Sequence, residues 1–292
     1  MLKMTTKLFK LFGCMLILAL FSACNIINPD EEIPSFVEFE SFDLLTKVGE
    51  GSNAERITEG WIYINNDLLG AFSANRPFPV LASGETEIVV DPGIHENGIG
   101  SATELYPFYT RFTTTVDLVE GEVTKISPIF EYRDRLTFVF VDEFTDNTIF
   151  TNDLDNNEET GIEITFEDAF EGSSGLIELT EDNPTAIIGS AFAYELPTTS
   201  LQAVFLEMNY KNEVDINVGL IGFNEFGEEA RFPTNRVITP KAEWNKIYLN
   251  FDEDLNATFL DFYQFYFVMT LPEGQESAKV LFDNFKLIHF NQ

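Results

Sequence analysis

Val214, Ile216, Val218 and Leu220 alternate with Asp215, Asn217 and Gly219, and this period of two most narrows what the chain can fold into. A strand with that spacing buries one face and wets the other. Ile247, Leu249 and Phe251 repeat the pattern against Trp244, Lys246 and Tyr248. From Gly161 onward no stretch carries a competing helical period. The 30 Phe and 9 Tyr among 292 residues also favour sheet surfaces over helices. The fold class expected is all-β, and the length predicts two β-sandwich domains.

The first of these spans residues 35–135, where short apolar runs are punctuated by turn residues. Trp61-Ile62-Tyr63-Ile64 and Leu68-Leu69-Gly70-Ala71-Phe72 flank Asn65-Asn66-Asp67, residues that tolerate left-handed backbone, so a β-hairpin is predicted. Thr86 to Val90 is expected to be a strand closed by Asp91-Pro92-Gly93, followed by a long loop carrying His95. The hairpin, together with Pro79-Val80-Leu81-Ala82-Ser83-Gly84-Glu85-Thr86-Glu87-Ile88-Val89-Val90, resembles PEGA-like surface-layer repeats over about thirty residues. That resemblance implies a small Ig-like sandwich without enzymatic activity, acting as a spacer.

Ahead of this domain, Lys3, Lys7 and Lys10 precede an apolar run from Leu11 to Phe21 and the small residues Ser22 and Ala23, which is the order of an export signal. The run is too short to span a bilayer. Leu20-Phe21-Ser22-Ala23-Cys24 resembles the bacterial lipobox, with Phe21 where leucine is usual, as in lipoproteins of the Bacteroidota. The resemblance implies that residues 1–23 are a signal peptide and that Cys24 is lipidated, so the membrane partner is met through acyl chains. Residues 24–34, with Pro29, Asp30, Glu31, Glu32 and Pro34, read as a tether. The location expected is the outer membrane, with the acidic run after Cys24 hinting at the cell surface. Only Cys24 would remain in the mature chain, so neither an internal disulfide nor a cysteine metal cluster is expected.

Residues 136–292 form the second predicted domain. Its acidic run Asn152 to Glu159 has Glu158 where an EF-hand loop needs glycine, so it reads as a solvated loop. Thr165-Phe166-Glu167-Asp168, Trp244-Asn245-Lys246-Ile247-Tyr248-Leu249 and Val280-Leu281-Phe282-Asp283-Asn284-Phe285-Lys286-Leu287 resemble the jelly-roll of galactose-binding-like carbohydrate-binding modules. In that family an acid of the opening strand and the Asp of the closing strand often hold a structural calcium, which would map onto Glu167 and Asp283. Sugar recognition needs aromatic platforms beside amides and carboxylates. Trp244 and Tyr248 share one strand face, Phe262, Gln264 and Tyr266 another, and Asp215 and Asn217 a third, so these are the candidate ligand residues.

A net charge of −32 repels nucleic acid, so no nucleic-acid partner is expected. His95 and His289 are the only imidazoles, Gly172-Ser173-Ser174-Gly175 lacks the spacing of a nucleophile elbow, and 49 acidic residues select no catalytic pair. No catalytic residue is assigned and the chain reads as a non-enzyme. The function expected is a lipid-anchored envelope protein whose jelly-roll binds a carbohydrate or other extracellular ligand. The alternative is a structural role, docking on an envelope protein, and an unrecognised hydrolase stands third.

Overall fold

The computed structural model describes residues 32–100, 103–199 and 202–291, so the signal peptide, the lipidated Cys24 and most of the tether expected from the sequence lie outside the described residues. The architecture is all-β. Among the described residues, ten strands precede residue 136: β1 (Ser35–Phe39), β2 (Asp43–Leu45), β3 (Glu59–Ile64), β4 (Asp67–Phe72), β5 (Phe78–Val80), β6 (Gly84–Ile94), β7 (Glu104–Leu105), β8 (Phe112–Leu118), β9 (Val123–Ile126) and β10 (Ile129–Glu131). One sheet runs β4-β3-β6, with β7 and β8 both paired to β6, and a second runs β5-β1-β9. Val37, Phe39, Phe78 and Val80 of the second meet Ile62, Ile88 and Val90 of the first in a common core. The β1–β9 pairing is parallel, as is that of β2 with β10.

The hairpin predicted around Asn65 forms. Ile64 pairs with Asp67 across Asn65 (φ 50°) and Asn66 (φ 73°), both left-handed, so the turn twists in the sense its strands need. The strand expected to stop at Val90 instead continues through Asp91-Pro92-Gly93 to Ile94. Proline is tolerated there because the Pro92 carbonyl accepts from Tyr106 N on the side away from β3. Its missing N–H therefore faces the gap between β8, which ends opposite Val90, and β7, which begins opposite Gly93.

The remaining elements are β11 (Leu136–Asp142), β12 (Asn152–Asp153), β13 (Glu163–Thr165), β14 (Ser174–Thr180), β15 (Thr185–Gly189), β16 (Val204–Asn212), β17 (Ile216–Phe223), β18 (Glu229–Ile238), β19 (Lys241–Asn250), α1 (Asp252–Thr258), β20 (Phe262–Thr270) and β21 (Ser277–Phe290). They make the two facing sheets of a jelly-roll: β13-β14-β21-β16-β19, with β11 also on β21, and β12-β15-β20-β17-β18. Between them Leu206, Met208, Ile247, Leu249, Phe285 and Leu287 pack on Ile216, Val218, Leu220, Phe265 and Phe267. The acidic run after Asn152 is tied to this sandwich. Asp155 accepts from Ile187 N at 3.0 Å and from the Thr160 hydroxyl, which turns its charge toward β15 and away from solvent.

The fourteen-residue β21 pairs with β14 through Phe282 and with β11 from Phe285 onward. Asn284 (φ 50°) forms the bulge where the partner changes. Asp283 fastens that bulge: its carboxylate accepts from Ser174 Oγ at 2.7 Å, Glu171 N at 3.2 Å and Asn284 N at 2.8 Å. Burial pushes its pKa up to about 6 despite those hydrogen bonds.

The molecule has a third layer. Tyr106 and Phe108 of the N-terminal domain stack edge-on against Phe205 of β16 at 5.2 and 5.6 Å, and Phe108 also meets Phe290 at 5.0 Å. The outer face of the six-stranded sheet is therefore an interior surface.

Candidate functional site

The two outer faces of the jelly-roll have different fates. On the six-stranded sheet, Phe205, Glu207, Lys246, Tyr248, Lys286 and Ile288 lie under the N-terminal domain, and each is at most 4% exposed. Lys246 Nζ pairs with Glu207 at 2.5 Å and donates to the Ala54 carbonyl at 2.6 Å. Tyr106 and Tyr132 donate their hydroxyls to the other Glu207 oxygen at 2.6 and 2.9 Å. Lys286 Nζ donates to the Ser52 carbonyl and to Tyr132 Oη. The Tyr248 hydroxyl accepts from Arg56 N at 2.9 Å.

Residues 52–56 thus cross the sheet as a strap whose backbone is held by two buried lysines and a tyrosine. Burial alone would raise the Glu207 pKa, but Lys246 and Lys286 outweigh it and hold the carboxyl below its ordinary value. Burial, with Lys246 beside it, brings Lys286 down to about 7.

This placement corrects the expectation for Tyr248. Its ring is 1% exposed in the domain junction and offers no platform to a ligand. Trp244, on the same strand face, lies at the rim, where its indole N–H donates to the Asp168 carbonyl at 2.8 Å and its ring tilts on Phe170 at 5.5 Å. The sequence pattern placed both on a common face, but alternation does not reveal whether a third layer covers that face.

The outer face of the five-stranded sheet is the open one, and it gathers the other five candidates. Because Ile216, Val218 and Leu220 point into the core, Asp215, Asn217 and Gly219 point outward. Cross-strand register places Tyr266 opposite Gly219 on one side and Gly189 on the other, Val268 opposite Asn217, Gln264 opposite Ile221, and Phe262 opposite Phe223. The end of the Tyr266 ring crosses to β17 and rests on Gly219, where any Cβ would collide with it. Tyr266 itself is half-buried, so part of its surface is open to solvent.

Around it Asp215 and Asn217 are exposed and Phe262 is 40% exposed, whereas Gln264 is buried, its amide donating to the Ser190 carbonyl at 2.9 Å. Arg231 sits opposite Ile221, one row from Tyr266. Burial raises the Tyr266 phenol, and the nearby Arg231 charge works against that rise. Sequence reasoning missed Arg231, Gly189 and Gly219. A glycine in an otherwise apolar strand, as at Gly219, was the available signal.

The calcium expectation meets a poor donor set. Calcium takes six to eight oxygens. Both Asp283 oxygens already accept hydrogen bonds from Ser174, Glu171 and Asn284, while Glu167 is exposed on a loop. Among the described residues no group of three or more His, Cys, Asp or Glu side chains converges. The residues present do not fit the ion. Thermal unfolding in calcium and in chelator should therefore give the same midpoint, and a rise of several degrees with calcium would contradict this reading.

No family model and no curated protein matches the sequence. Among solved structures, the CBM22-1 xylan-binding domain from Paenibacillus barcinonensis Xyn10C is similar over 53% of this chain and 96% of its own, at 10% identity and a TM-score of 0.37. The family 11 carbohydrate-binding module of the cellulosomal cellulase Lic26A-Cel5E of Clostridium thermocellum covers 52% and 93%, at 14% identity and a TM-score of 0.34. A family 29 carbohydrate-binding module covers 53% and 86%, at 16% identity and a TM-score of 0.32.

Proposed function

We propose that this chain is a non-catalytic envelope lipoprotein, anchored at Cys24 in the outer membrane, that binds a carbohydrate on the open face of its C-terminal jelly-roll. The observation that carries the reading is the Tyr266 ring resting on Gly219, with Asp215, Asn217 and Arg231 about it. A pyranose ring has one face lined by C–H groups, which stacks on an aromatic plane, and an equatorial belt of hydroxyls, which needs donors and acceptors at the plane's edge. Tyr266 supplies the plane, and carboxylate, amide and guanidinium groups supply the belt.

The opposite face is filled by the protein's own strap, so binding is assigned to one side of the sandwich. A glycan array probed with the full chain tests this reading. Tyr266→Ala should weaken retention roughly thirtyfold, the loss expected of a central aromatic anchor. Trp244→Ala should leave retention nearly unchanged. Unaltered binding by Tyr266→Ala, or no retention on any glycan, would count against the proposal.

A further inference from the structure

The N-terminal domain carries a concave surface that the jelly-roll site does not use. A cleft of about 670 Å³ opens where β6 and β7 meet Arg133 and Phe290 of β21. Pro92, Leu105, Pro107 and Phe290 give it apolar walls, and Arg111 and Arg133 line it with Asp91. Asp91 is consumed by Arg111: Nε and Nη2 of the guanidinium donate to its two oxygens at 2.7 and 2.6 Å, and the same guanidinium lies 5.2 Å over the Tyr63 ring. That pair is rigid and electrically neutral.

Arg133 is different. Its Nε donates to the Tyr109 carbonyl at 2.7 Å, which fixes the side chain, and among the described residues it makes no ion pair. One cationic fork is thus left at the wall of a ligand-sized cleft, on a chain whose net charge is −32.

We propose that this cleft binds a carboxylate-bearing sugar ring, a uronate residue of an acidic glycan. A guanidinium whose Nε is already held presents its terminal nitrogens in the planar geometry that a carboxylate accepts. The proline, leucine and phenylalanine walls suit the C–H face of the same ring. Elsewhere the acidic surface repels such a ligand, so the cleft selects for the acid group by charge as well as by shape. The domain that reads from sequence as a spacer is on this account a second binding module, independent of the Tyr266 face.

Calorimetric titration of the full chain with trigalacturonate, its neutral methyl ester and acetate tests the proposal. The acid trimer should bind at least tenfold tighter than the ester, with an affinity that falls as salt rises. Arg133→Ala, and separately Leu105→Glu at an exposed wall position, should each weaken it roughly tenfold to a hundredfold, as losing or opposing a charge-assisted hydrogen bond requires. Equal binding of acid and ester, or full affinity in both cleft variants, overturns the proposal. Equal potency of acetate would show a site for any free carboxylate and overturns the sugar assignment.

Discussion

Replacing Glu207 by alanine should lower the midpoint of thermal unfolding by roughly 6–20 °C, from a loss of about 3–5 kcal/mol. The carboxylate is fully buried between Lys246 and Lys286 and accepts from Tyr106 and Tyr132. Removing it leaves two buried ammonium groups without their counter-charge and two tyrosine hydroxyls without their acceptor. The cost is that of stranded charge, so the apolar double variant Glu207→Leu/Lys246→Met should recover much of the loss. A Glu207→Ala midpoint within about 2 °C of the parent would show that the network does not hold the junction.

The pH dependence adds a second arm to this test. Lys286 titrates near 7 in the folded protein and near 10.5 when unfolded, so the unfolded chain binds more protons between those values. The stability this group contributes is fully present above about 10.5 and is lost as pH falls to about 7. Lys286→Met should therefore flatten the rise in unfolding free energy between about pH 7 and pH 10.5. Parallel pH profiles for parent and variant would refute the assignment.

Gly219→Val should abolish glycan retention and also cost stability. Its Cβ would enter the space now filled by the end of the Tyr266 ring, which must swing off the sheet. Overpacking of this kind costs about 1–3 kcal/mol, and the displaced ring no longer offers its face. The distinction from Tyr266→Ala is informative: alanine removes the platform and leaves β17 untouched, whereas valine keeps the aromatic and moves it. Retention that survives Gly219→Val but not Tyr266→Ala would mean that the ring's chemistry matters and its flat seat does not.

The limits of reading this chain from sequence follow from the same residues. The alternation at Val214 to Leu220 and the Asn65-Asn66 turn are local statements about backbone and one buried face, and both appear in the structure. Five of the seven ligand candidates fall on one open face because alternation within β17 and β20 identified their outward sides. Tyr248 failed because Lys246 and Tyr248 read as the wet side of β19, yet the strap at residues 52–56 and the segment of Tyr106 and Tyr109, more than a hundred residues earlier in sequence, cover it. Lys286, set between Phe285 and Leu287 in a long apolar strand, was the hint that a polar partner had to arrive from elsewhere. Pro92 misled for a different reason: it marks a strand end only when the strand on its N–H side needs that donor, and here that side is a gap.

The parallel pairing of β1 with β9 sets how the molecule bears load. A pull on the amino-terminal segment, as from a membrane anchor, runs along β1 toward its first residue. The register from Phe36–Val123 to Phe39–Ile126, with β5 on the other edge, then resists as a set of hydrogen bonds strained sideways together. A hairpin opened from its end would instead yield one bond at a time. With β1 so placed, tension applied at its amino-terminal end is taken up by collective shear of this register.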